Sequence, residues 1–66
     1  IKKAIEVGED LIKAAPDFSL AHNNLAVAYY SKDKFEKAIK HLDKAVELGF
    51  EPHPDFINKL QPYRKK

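Results

Sequence analysis

Lys3-Ala4-Ile5 recurs as Lys37-Ala38-Ile39, 34 residues further along the chain, and a fixed offset of that size marks a helical hairpin unit used more than once. The same offset lays Ile1 on Phe35, Ile12 on Val46 and Ala14 on Leu48, so apolar character persists where identity does not. A second echo, Pro16-Asp17-Phe18 against Pro54-Asp55-Phe56, is offset by 38 residues. An insertion of four residues between Leu48 and Pro54 brings the two echoes onto one architecture.

With 66 residues the chain is a single small domain, of a size that buries only about 60% of the surface its unfolded form exposes. It has no Cys for a disulfide and no evident metal motif, so its helices must pack efficiently on one another or on something else. It begins at Ile1 and contains no Met, which predicts a fragment or a processed product whose first repeat is cut in half.

The charged fraction of 33% and the absence of a long apolar run argue against a membrane-spanning segment,. Ile1 to Ile12 alternates charged with apolar residues at helical spacing, unlike the apolar block of a secretory signal,. The cytoplasm is the default expectation for compartment. A net charge of +2 falls short of the basic stripe a nucleic-acid binder carries,. The one basic run, Arg64-Lys65-Lys66, reads as a solvated, frayed end,.

Apolar spacing predicts an all-α fold of about four helices, near residues 2–15, 19–32, 34–48 and 54–61. Ile1, Ala4, Ile5, Gly8, Leu11, Ile12 and Ala15 share one face of the first helix, which Pro16 ends,. Asp17 or Ser19 is expected to cap the second, whose inner face is Ala21, Leu25, Ala28 and Tyr29,. Asp33 with Glu36 has the form of a capping box for the third, with Phe35, Ala38, Ile39, Leu42, Ala45 and Val46 as its stripe,. Gly49 suits a left-handed C-cap with Phe50 as its hydrophobic contact,. Pro54 suits the first position of the fourth helix, and Pro62 predicts a looser turn carrying Tyr63,.

Residues 19–52 resemble one complete tetratricopeptide repeat. The family's large residue, Leu, small residue and Tyr of the first helix are met by His22, Leu25, Ala26 and Tyr29; the second-helix slots are met by Ala38, Leu42 and Ala45,. His22 stands where Trp or Leu is usual, Ala26 stands for Gly, and the terminal Pro slot falls on Phe50, with Pro52 two residues late. Residues 1–18 are similar to the second helix of a preceding repeat, with Gly8 smaller and Leu11 larger than usual there, and residues 53–66 to a C-terminal capping helix. The resemblance implies a single domain at the end of an array, in which Ala26, Ala38 and Ala45 let the helices approach and Leu25, Tyr29 and Leu42 fill the space between. Loss of the preceding helix is expected to leave Ile1, Ile5 and Ile12 partly exposed.

The resemblance also implies a noncatalytic scaffold or adaptor that binds a protein or peptide partner in a groove lined by the second helix. The groove residues would be Leu20, Asn23, Asn24, Val27, Tyr30 and Ser31. Asn23 and Asn24 are poor helix formers, and their amides would either pair a peptide backbone or be exposed and bond locally. Tyr30 suits a contact surface, whereas Tyr29 belongs to the core. Some family members clamp a terminal carboxylate; Asn24 falls on one asparagine of that clamp, but Leu20 and Asn23 stand where its basic residues would be, which argues against such capture by this repeat.

For catalysis or metal binding the material is thin. His22, His41 and His53 are not at helical pair spacing and no Cys supplements them,. His22 is expected in the core, His41 exposed on the third helix and His53 in a loop. Glu9 with Asp10, and Asp43 with Glu47, read as solvated helix surface among lysines. Gly8 and Gly49 are isolated, so no phosphate loop is present,. The expectations are therefore no enzyme activity, no cofactor, no metal, no nucleic acid and no membrane. Two other readings stay open: a structural terminus of a longer solenoid without its own ligand, and self-association through the exposed face of the first helix.

Overall fold

A computed structural model describes residues 4–64. Among them run four α-helices, α1 Ala4–Ala14, α2 Ser19–Ser31, α3 Phe35–Glu47 and α4 Pro54–Leu60, followed by a 3-10 turn at Gln61–Tyr63. The boundaries follow the apolar spacing closely, and residues 2 and 3 of the expected first helix lie outside the described residues. α2 packs most extensively on α3 and also against α1, while α4 adds a lighter contact with α3. The hairpin of α2 and α3 is thus the centre of the molecule.

Its core holds Leu25, Ala26 and Tyr29 of α2, Ala38 and Leu42 of α3, and Leu60 at the end of α4. Ala26, Ala38 and Ala45 are wholly buried, as small residues must be where two helix backbones come together,. Leu25, Leu42 and Leu60 are the largest side chains fully removed from water, each worth about 1.5–3 kcal/mol of transfer free energy. Ile5 and Ile12 are half-buried against this cluster. Ile5 and Ile12 thus stay partly exposed, as expected, and Val7 at 43% and Leu11 at 39% are more open still. Ile1 lies outside the described residues.

The helix ends depart from the expected caps. Phe18 is the N-cap of α2, with extended dihedrals and no side-chain bond, so Ser19 is already helical and its hydroxyl comes one position too late,. Lys34 occupies the N-cap of α3. Asp33 has φ 61° instead and closes α2: the Asp33 N–H donates to the Tyr30 carbonyl at 3.0 Å and the Lys34 N–H to the Tyr29 carbonyl at 2.9 Å. In so short a connection Asp33 serves as the left-handed residue, a conformation Asp tolerates. Gly49 takes φ 97°, and the Phe50 N–H reaches back to the Ala45 carbonyl at 2.9 Å, the expected Schellman closure,.

Pro54 opens α4, and the His53 imidazole accepts from the Asp55 N–H at 3.1 Å. Beyond Pro62, Tyr63 stacks on Phe35 with ring centroids 3.7 Å apart. Arg64 is held as well, donating to both carboxylate oxygens of Asp43 at 3.1 and 2.7 Å. The expected frayed end does not include Arg64, because Asp43 lies within reach of its planar fork. Lys65 and Lys66 lie outside the described residues.

Candidate partner-binding surface

Where α1 lies beside α2, a trough of about 520 Å³ opens to solvent, lined by Ala4, Val7, Gly8 and Leu11 from α1 and Asn24, Val27, Ala28 and Ser31 from α2. It continues past Ala4, Ala28 and Ser31 into a second hollow of about 440 Å³ bordered by Ile5, Glu6, Lys32 and Lys34. Its walls are mostly apolar, with the Asn24 amide as a polar handle and charges only at the far end. The Ser31 hydroxyl donates to the Ala28 carbonyl at 2.8 Å, which directs it back into the helix.

α2 has such a surface because its apolar residues encircle the helix. Ala21, Leu25, Ala28 and Tyr29 meet neighbours, yet Leu20 at 43% and Val27 at 47% face water. The six residues expected to line one groove divide between two sides. Asn24, Val27 and Ser31 border the trough with α1. Tyr30 is half-buried and turned toward the fourth helix, its ring meeting Phe35 and Phe56 edge-on at 5.6 and 5.7 Å. Asn23 stands two turns before Tyr30 on the same side and is half-buried, with a buried Oδ1 that has no hydrogen-bond partner. Leu20 lies exposed between the two sides.

A polar seam, missed in the sequence, runs behind this surface. His22, 6% exposed, donates from Nε2 to the Pro16 carbonyl at 2.9 Å, and its Nδ1 is 3.1 Å from Nδ1 of His41. His41 is half-buried, not exposed, because its ring lies against both His22 and Tyr29, with centroids 5.3 and 5.5 Å apart. Burial first, then the nearby His22, Lys40 and Lys37, hold its imidazole below the ordinary value, against an opposing pull from Glu9. The Tyr29 hydroxyl donates to Glu9 Oε2 at 2.7 Å, and with burial this pushes the phenol up to about 12. Glu9 and Asp43, read as solvated surface, thus each hold a partner from another part of the chain. Among the described residues, no group of three or more His, Cys, Asp or Glu side chains is placed to hold a metal ion. No helix among them is long and apolar enough to cross a membrane.

The size pattern His22, Leu25, Ala26, Tyr29, Ala38, Leu42 and Ala45 is buried throughout, at the centre of the α2–α3 hairpin, and residues 19–49 match the sequence model of the tetratricopeptide repeat. The α2–α3 hairpin is a tetratricopeptide repeat. Such repeats serve as protein–protein interaction modules. The chain is similar to the Homo sapiens proteins named intraflagellar transport protein 70A and 70B, being 42% identical to each over 40 residues. That stretch is 61% of this chain, which spans 6% of the length of each relative. No solved structure matches the chain. Gly8 and Leu11 were legible from apolar spacing on the first helix, whereas the exposed Val7 of the trough lies outside that set and had no individual signal in the sequence.

Proposed function

We propose that this chain is a noncatalytic protein-interaction module whose tetratricopeptide repeat presents the outer face of α2, together with α1, to a helical segment of a protein partner. The trough between α1 and α2 carries this reading. Ala4, Gly8 and Leu11 stand 34 residues before Ala38, Leu42 and Ala45, the α3 residues buried in the hairpin with α2. On α1 only Gly8 of this face is covered, by Leu25 of α2, while Ala4 and Leu11 beside it stay open to solvent. An amphipathic helix with small and medium apolar side chains fits that face, and the Asn24 amide can pair with a polar group on it.

Leu20, Asn23, Asn24, Val27, Tyr30 and Ser31 remain the contact set proposed on α2, with Asn24, Val27 and Ser31 at the trough and Asn23 and Tyr30 on the side toward α4. In this reading residues 1–18 serve as the second helix of a partial repeat, 19–52 as the complete repeat and 53–66 as a cap. A displayed library of helical peptides selected on the full chain tests the proposal. Binders are expected to lose at least about tenfold in affinity, near 1.4 kcal/mol, for Val27→Asp and for Leu11→Asp, both exposed positions. Binders indifferent to both substitutions would remove the trough from the account.

A further inference from the structure

The Nε2 of His22 faces a carbonyl oxygen, Pro16 O at 2.9 Å, so that nitrogen must carry a proton. In a neutral His22 the other nitrogen, Nδ1, is then bare, and the contact of 3.1 Å to His41 Nδ1 is a hydrogen bond only if His41 donates from Nδ1. The assignment follows from the network alone. His41 is left with a bare Nε2, beside a hollow of about 310 Å³ bordered by Lys40, Asp43, Lys44 and Glu47.

This arrangement counts protons. A first proton from solvent enters at His41 Nε2 and leaves the Nδ1–H donor of His41 in place. A second has only His22 Nδ1 to go to, and it would set two N–H groups against each other at 3.1 Å. We propose that the His22–His41 pair is an acid-sensitive latch on the α2–α3 seam, closed while it holds at most one added proton and opened by the second. Opening parts the two rings, and with them the contact between α2 and α3 at this point, while the Nε2–H of His22 stays on the Pro16 carbonyl.

The charges around the pair favour the closed, neutral form. Lys37 and Lys40 on α3 oppose a further positive charge, and Lys44 borders the same hollow. Glu9 on α1 draws the other way, but its carboxylate already accepts from the Tyr29 hydroxyl; Asp43 and Glu47 at the hollow are engaged by Arg64 and Lys44. The lowered value of His41 agrees in sign. Unfolded, His41 is free to protonate near the ordinary value of about 6.5, whereas in the folded chain burial and the neighbouring cations hold its imidazole lower. Stability is then fully present above that value and is lost as pH falls through it toward the lowered folded value.

Chemical denaturation of the full chain between pH 7.5 and 5.5, above the carboxylate range, tests the latch. One proton fewer bound in the folded state makes the unfolding constant rise about tenfold per pH unit below about 6.5. In His41→Asn an amide, which can turn to donate or accept, replaces the titrating ring, and the acid slope is expected to flatten. Equal slopes in the two proteins would overturn the latch. Should the variant not fold, ring nitrogen shifts of the original chain decide. His41 is expected to take its proton at Nε2 while its Nδ1–H still donates across the 3.1 Å contact, with the backbone amides of His22 and His41 moving only afterwards. Concerted protonation of both rings with those amides unmoved would refute it.

Discussion

Gly8 of α1 lies so close to Leu25 of α2 that a β-carbon at position 8 would come within 2.6 Å of Leu25 Cγ. Leu25 is 1% exposed and has no room to withdraw, so the missing side chain sets the distance between the two helices and thereby the width of the trough.

Gly8→Ala follows directly. Alanine favours a helix over glycine by nearly 1 kcal/mol, but overpacking a filled core costs about 1–3 kcal/mol. The net expectation is a loss of about 1 kcal/mol, a fall in melting temperature of roughly 4–8 °C for a domain of this size. Thermal unfolding checks it, and an increase in melting temperature would mean that α1 moves freely over Leu25.

Gly49 presents the opposite case. Nothing lies within 4 Å of a β-carbon there, but φ is +97°. Gly49→Ala therefore meets no neighbour and pays only in backbone conformation, about 1–2 kcal/mol. Denaturant unfolding should show that loss with an unchanged slope.

The Tyr29 hydroxyl, bonded to Glu9 at 2.7 Å, keeps its proton up to about 12 instead of the ordinary 10.0. Its contribution to stability is complete below the unfolded value and is lost as pH rises through the interval between the two, because the unfolded phenol ionises first. Absorbance titration of the three tyrosines should resolve one late step that disappears in Tyr29→Phe. Tyr29→Phe is also expected to cost about 1 kcal/mol at neutral pH through the lost bond.

Arg64 binds Asp43 through two bonds, but the Asp43 side chain is 56% and that of Arg64 34% exposed, so water screens the pair. Arg64→Ala should cost no more than about 1 kcal/mol, less in high salt. Amide exchange would show the loss locally, around Gln61–Tyr63 and α4, and not in α2.

What the sequence disclosed is what local rules govern. Gly49, Pro54 and the buried alanines act through backbone geometry or helix periodicity, and each can be placed from its near neighbours. His22 with His41, Tyr29 with Glu9, and Arg64 with Asp43 join residues some twenty positions apart; whether such pairs meet depends on the rotation and spacing of whole helices. The same limit explains the candidate surface. Six residues of α2 share an outward arc by periodicity, yet the placement of α1 and α4 decides that Asn24 and Val27 edge a trough while Tyr30 is drawn against Phe56. Asp33 shows a local rule competing with another: its side chain suits an N-cap, but the short turn between α2 and α3 uses its tolerance of positive φ.

The central claim is that α1 and α2 together form the contact surface. Amide chemical-shift mapping of the labelled full chain, titrated with a helical peptide selected on it from a displayed library, tests this most directly. The account predicts that the largest shifts fall on Ala4 to Leu11 and on Asn24 to Ser31, on both walls of the trough. Shifts confined to α3 and α4, with both walls silent, would contradict it.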